Sequence, residues 1–130
     1  SHVGAKMEVN KNINQLKLIP RQPYRALNHG AGYQGCGWIF SDKDSFDKNL
    51  LVDLLGPPGL CGLPHGSDVE RLKGVFRLGR ETLFVNRVRN EITLSEIAYH
   101  NDSRLEVIIS QNIKANWDNL ESRLKKCLVS

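Results

Sequence analysis

The clearest pattern of apolar and polar positions lies in the first half of the chain. Apolar residues recur there at helical spacing, namely Phe46, Leu50, Leu51, Leu54 and Leu55. Ser41 or Asp42 can cap this helix, because short polar side chains accept hydrogen bonds from the first free backbone N–H groups. Gly56 and the two prolines after it supply the end. The spacing therefore predicts a helix over 44–55.

Two further helices are indicated nearer the C-terminus. One is amphipathic, with apolar positions at Ile113, Trp117, Leu120, Leu124 and Leu128, and should cover one face of a sheet. The other follows Ser67-Asp68-Val69-Glu70, which matches a capping box in which Ser67 and Glu70 each bond the other's backbone N–H. This match predicts a short helix that ends near Phe76.

Strand signals dominate the second half of the chain. The runs 82–89, 92–99 and 104–109 are rich in β-branched and aromatic residues and predict a meander of three strands. An alternative takes 94–98 as the first helix of a helix-turn-helix, but its turn lacks the expected glycine. Trp38-Ile39-Phe40 predicts a short buried strand. The fold class expected is α+β, a mainly antiparallel sheet with a C-terminal three-strand meander packed against two or three helices.

Length and composition favour one ordinary domain. The chain has 130 residues, of which 40% are hydrophobic and 25% charged. Residues 1–6, before Met7, resemble a vector remnant, so we expect the domain to span 7–130. No apolar run is long enough to cross a bilayer. Three cysteines without a CxxC pair fit a reducing compartment, which predicts a cytoplasmic protein.

The net charge is +4, and one stretch that follows the acidic part of the chain is clearly basic. Its members are Arg71, Lys73, Arg77, Arg80, Arg87 and Arg89, opposed only by Glu81. Strand alternation would put Arg87 and Arg89 on one face with their guanidinium groups available to phosphate or carboxylate. The alternative is a solvated face paired with acidic residues of the next strands. We predict a small basic, non-catalytic binding module that engages nucleic acid or an acidic protein surface.

An enzymatic alternative comes from the cysteine and histidine residues near two glycine-rich segments, 28–37 and 56–66. Cys36 is a candidate nucleophile, with His29 or His65 as its base. The segment 34–38, Gln-Gly-Cys-Gly-Trp, resembles the nucleophile segment of papain-like and ovarian-tumour-type thiol hydrolases. Those families begin a helix at the cysteine, whereas the residues after Cys36 predict a strand. The other interpretation of Cys36 is a small buried residue.

Two more sites use the same residue types. His29, Cys36, Cys61 and His65 form a set that could close a tetrahedral zinc site, although their spacing matches no common zinc finger, and we commit to no cofactor. A toxin-type ribonuclease would use His29, His65 or His100 as acid or base, with an arginine to stabilise the phosphorane.

The last four residues form a further candidate site. Cys127-Leu128-Val129-Ser130 fits the C-a-a-X box for prenylation of Cys127. Alternatively, Cys127 follows Leu120 and Leu124 at helical spacing and ends the apolar face of the helix. The sequence leaves the source organism, and therefore the meaning of the box, open.

Overall fold

The computed structural model describes residues 17–60, 62–64, 69–98 and 100–130. These residues form a six-stranded antiparallel sheet and two helices. The elements are β1 (Tyr24–Gly30), β2 (Tyr33–Phe40), α1 (Lys48–Leu55), β3 (Val69–Arg77), β4 (Thr82–Val88), β5 (Glu91–Ile97), β6 (Ser103–Ser110) and α2 (Trp117–Lys126). The α+β class expected from the sequence is confirmed. The segment 1–6, the expected vector remnant, lies outside the described residues.

The order of strands across the sheet is β1-β2-β6-β3-β4-β5. The expected meander of the last three strands is therefore wrong, because β6 does not pair with β5 but lies between β2 and β3. The meander is instead β3-β4-β5. Burial gives the reason. In β6, Val107, Ile108 and Ile109 are all buried, and so apolar a strand is stabilised by a neighbour on each side. Strand β5 is mostly exposed and lies at the edge.

The core lies between one face of the sheet and the two helices. Cys36, Trp38 and Phe40 alternate along β2 toward this face, and Leu105, Val107 and Ile109 do the same along β6. Leu51 and Leu55 of α1 and Leu120 and Leu124 of α2 pack against them. The burial of Trp38-Ile39-Phe40 and the apolar face of the C-terminal helix match the sequence pattern. No helix of the described residues is long and apolar enough to cross a membrane.

Helix α1 begins later than the sequence predicts. It starts at Lys48, and its cap is Asp47, whose carboxylate accepts a hydrogen bond from the backbone N–H of Leu50 at 3.0 Å. The residues before it are held elsewhere. Phe46 forms a β-bridge with Leu128, and the side chain of Asp44 accepts the backbone N–H of Arg21. Residues 44–46, which the apolar spacing assigns to the helix, therefore make tertiary contacts instead of a helical turn.

The short helix after Ser67 is also a wrong prediction. Ser67 lies outside the described residues, but Glu70 lies in strand β3, which extends to Arg77. β3 pairs with β4 on one side and with β6 on the other, and these two ladders outweigh the local capping motif. The helix-turn-helix alternative fails for the same reason, since all seven residues of β5 pair with β4.

Candidate functional site

Arg87 is the most constrained charged residue of the arginine-rich stretch. β4 points it into the face that carries the helices, where it is 0% exposed. Its Nη1 donates to the carbonyl oxygens of Leu55 at 2.9 Å and Gly59 at 3.0 Å. Its Nη2 donates to Pro58 O at 3.4 Å, and its Nε donates to Arg89 O at 2.6 Å. Desolvation by burial lowers the pKa of this guanidinium. Arg87 therefore fastens the end of α1 and the segment after it to the sheet.

The predicted shared face of Arg87 and Arg89 is consequently wrong. Arg89 lies in the turn after β4 with φ 54°, and its Nη2 is 3.5 Å from a carboxylate oxygen of Glu70. Arg87 lies opposite Leu72 on the core side of the sheet. The arginine that was expected to offer its fork to a ligand already uses it on backbone carbonyls.

The other four basic residues are spread over the second sheet face and a turn. Arg71, Lys73 and Arg77 alternate along β3 with the core residues and so point to the face opposite the helices. Arg80 is exposed in the turn between β3 and β4. The six residues do not form one continuous basic strip.

Glu106 is the acidic neighbour of this group on the second face. It lies directly opposite Lys73 in the β3–β6 ladder. Its Oε2 is buried and accepts no hydrogen bond from a residue that the structure describes. Desolvation raises the pKa of the Glu106 carboxyl from 4.5 to about 6, and the charges of Lys73 and Arg71 oppose the rise. The carboxylate is therefore costly to keep ionised at neutral pH.

Replacing Glu106 by glutamine is expected to stabilise the protein at pH 7.5. A carboxyl whose pKa is higher in the folded than in the unfolded state favours folding when protonated, so its penalty appears as pH rises from about 4.5 through about 6. Allowing for solvent screening of this partly exposed group, the gain should be about 1 kcal/mol at pH 7.5 and vanish near pH 4. Urea unfolding at both values measures it. Glu91→Gln on the exposed edge strand is the control, and an equal gain there would contradict the assignment.

Cys36 and His29 lie on neighbouring strands, but the thiol is not available. Cys36 pairs with Leu27 in the β1–β2 ladder, two positions from the pairing of His29 with Gln34. Cys36 is 0% exposed, and burial raises the pKa of its thiol to about 12. The thiolate is both the nucleophile and the metal-binding form of cysteine, so this position supports neither role. The structure favours the alternative of a small buried residue.

The structure describes only part of the remaining cysteine and histidine set. Cys61 and His65 lie outside the described residues. His100 lies before β6, where its Nδ1 is 3.0 Å from Asp102 O, and Asp102 in turn accepts from Arg104 at 3.0 Å. Within the described residues, no three His, Cys, Asp or Glu side chains are grouped closely enough to hold a metal ion.

Cys127 lies at the end of α2 and is buried. Its Sγ donates to Arg123 O at 3.4 Å, and burial raises the pKa of the thiol. Its backbone carbonyl accepts the N–H of Asp47, which ties the end of α2 to the start of α1. The folded chain does not present this thiol to a modifying enzyme.

One polar cluster was not anticipated from the sequence. Trp38 is fully buried, and its Nε1 donates to Glu121 Oε1 at 2.9 Å. Arg25 reaches the same helix, with Nη1 2.7 Å from Asp118 and 3.5 Å from Glu121. A buried tryptophan requires an acceptor for its N–H, but the sequence does not show which residue provides it.

This arrangement of sheet and helices can be compared with known proteins. Residues 36–128, which include most of β2, the four strands β3 to β6 and both helices, match the family model described as Cobalamin synthesis protein cobW C-terminal domain. The chain belongs to this cobW C-terminal domain family. A curated relative is the protein named Zinc chaperone YeiR of Escherichia coli (strain K12), which is 34% identical over 120 residues. That match covers 91% of this chain but 33% of the relative, so the chain spans about a third of the length of the relative. No solved structure matches the chain.

The family corrects the function expected from the sequence. A basic module for nucleic acid or an acidic protein surface is wrong, and so are the ribonuclease and thiol hydrolase alternatives. The misleading signal was a run of arginines that is continuous in sequence but not in space. Arg87 is withdrawn from any ligand, because strand pairing places its side chain on the core side of the sheet.

Proposed function

We propose that this chain is the C-terminal domain of a zinc chaperone and takes part in delivering Zn²⁺ to another protein. The main support for this proposal is the match to the relative named as a zinc chaperone, which extends over 91% of this chain. The family match supports this proposal, because residues 36–128 correspond to a domain that the family description places at the C-terminus of its proteins. We further propose that residues 7–130 form one domain that works together with the remainder of such a protein.

In this proposal Cys36 is a core residue and not a zinc ligand. Support comes from its complete burial and from its thiol pKa of about 12, since a thiol must lose its proton to bind zinc. The chaperone is proposed to act in the cytoplasm, where Cys36 and Cys127, both free thiols, would remain reduced.

The test uses the natural-length protein that contains this chain. We expect it to bind Zn²⁺ in competition with a chromophoric chelator, and to load a zinc-dependent apoenzyme faster than the same concentration of buffered zinc does. Cys36→Ala should leave the zinc affinity within about twofold, because removing a non-ligand has no direct effect on binding. A protein that takes up no zinc, or that loads the apoenzyme no faster than buffered zinc, would overturn the proposal. Zinc loss in Cys36→Ala would refute the assignment of that residue.

A further inference from the structure

A pocket of about 620 Å³ lies between the second half of α1, the segment that follows it and the end of α2. This volume is within the range of roughly 300–1,000 Å³ that binding pockets have. Leu50 and Leu54 of α1 form one wall, Pro57 contributes to the next, and Leu60 is a buried residue of the lining. Leu50 is 50% exposed, which is high for a leucine on an amphipathic helix.

Part of the backbone of the segment after α1 is occupied on the side of the sheet. The carbonyl oxygens of Leu55, Pro58 and Gly59 accept hydrogen bonds from Arg87 on the sheet side. Two consecutive prolines bring no N–H donors. The wall is thus held against the sheet, and Pro57 and Leu60 contribute apolar side chains to the lining.

The opposite wall, on α2, carries two cations. Arg123 and Lys126 are exposed, lie one helical turn apart and line the pocket, whereas α1 contributes the single carboxylate of Asp53. The charged side chains of the lining therefore sum to a net charge of +1. These cations are separate from the arginine-rich stretch of β3 and β4.

We propose that this pocket binds a short peptide segment of the protein that receives the zinc. One large aliphatic side chain of that segment fills the space between Leu50, Leu54 and Leu60. A carboxylate beside it in the partner's sequence pairs with Arg123 and Lys126. This inference rests on the proposed function for the identity of the partner, but the binding itself depends only on the pocket.

Gly59 offers a way to block the pocket without disturbing the fold. It lines the pocket, its φ is not in the left-handed region, and no atom lies within 4 Å of the position that a Cβ would take. Gly59→Val therefore places a branched side chain in open space at the pocket wall. The fold of this variant is checked by its unfolding transition, which should equal that of the wild-type chain.

The binding test uses three fluorescein-labelled pentapeptides whose central residue is flanked by two charged residues. The first has leucine between glutamates, the second leucine between lysines and the third serine between glutamates. By fluorescence anisotropy, the first should bind the full chain at least about tenfold more tightly than the other two, and Gly59→Val should weaken it at least about tenfold. Lys126→Glu should weaken it about fivefold, and the control Lys114→Glu, outside the pocket, less than about twofold. Equal binding of the three peptides, or no effect of Gly59→Val, would overturn the proposal.

A second measurement separates this proposal from the proposed function. In the natural-length protein, Gly59→Val should slow zinc transfer to the acceptor at least about fivefold while the zinc affinity stays unchanged. If Gly59→Val transfers zinc at the wild-type rate, the pocket has no part in zinc delivery, and the proposed chaperone function is unaffected. If the natural-length protein binds the first peptide but takes up no zinc from the competing chelator, the pocket is retained and the chaperone function is removed.

Discussion

Replacing Arg87 by methionine is expected to lower the free energy of unfolding by about 3 kcal/mol. Methionine retains the apolar stem but removes the donors that serve the carbonyl oxygens of Leu55, Pro58 and Gly59. The oxygen of Leu55 would be left without its donor at a buried position, and those of Pro58 and Gly59 at partly buried ones. An unsatisfied buried group costs about 1–3 kcal/mol, and a group that water can reach costs less. Urea unfolding followed by circular dichroism measures the loss.

Two further substitutions test the cause of this loss. Arg80→Met removes the same charge from an exposed turn and should change the stability by less than about 0.5 kcal/mol. Arg87→Lys keeps the charge but lacks the planar fork, so it should fall between the wild-type chain and Arg87→Met. If Arg87→Met unfolds at the same urea concentration as Arg80→Met, the fastening of α1 by this residue is not a source of stability.

Replacing Trp38 by alanine should cost about 4 kcal/mol, because it opens a cavity in the centre of the core. The side chain is 0% exposed and stands edge-on to Trp117, with ring centroids 6.1 Å apart. Trp38→Phe isolates the polar part of the effect. It keeps most of the apolar volume but removes the N–H that Glu121 accepts at 2.9 Å. We expect a loss of about 1.5 kcal/mol in that variant.

A double-mutant cycle of Trp38→Phe with Glu121→Ala measures the coupling between these side chains. The expected coupling energy is about 1 kcal/mol, since the bond joins a neutral donor to a carboxylate. Leu94→Ala on the edge strand, where leucine is 38% exposed, is the matched truncation and should cost far less than Trp38→Ala. A coupling energy near zero would show that Glu121 and Trp38 act independently.

The proposed function rests on the family match and the named relative, and not on any residue pattern. The charge run from Arg71 to Arg89 was the largest local signal, and it indicated the wrong class of protein. The charged residues of one run form a common surface only when strand alternation and strand pairing place their side chains on the same face of the sheet. Here β3 and β4 place Arg71 and Arg87 on opposite faces of one sheet.

Cys36 shows how far the candidate site itself could be read from the sequence. Its residue type and its neighbouring glycines allow a nucleophile, a zinc ligand or a small core residue. Only the three-dimensional burial of the thiol, which raises its pKa to about 12, separates these roles. The acceptor of the Trp38 N–H likewise comes from Glu121, 83 positions away.

The sequence by itself determined the elements whose signal is local. The end of α1 at Gly56, the apolar face of α2 and the existence of β4, β5 and β6 follow from helical or alternating spacing, which each segment carries within about ten residues. Tertiary structure alone decided that β6 inserts between β2 and β3, that Glu70 lies in a strand, and that Arg87 points inward. In β4, Leu83 and Val85 share a face with Arg87, while Phe84 and Val88 share the other. Both faces of that strand are partly apolar, so only the helices packed against one of them settle which is buried.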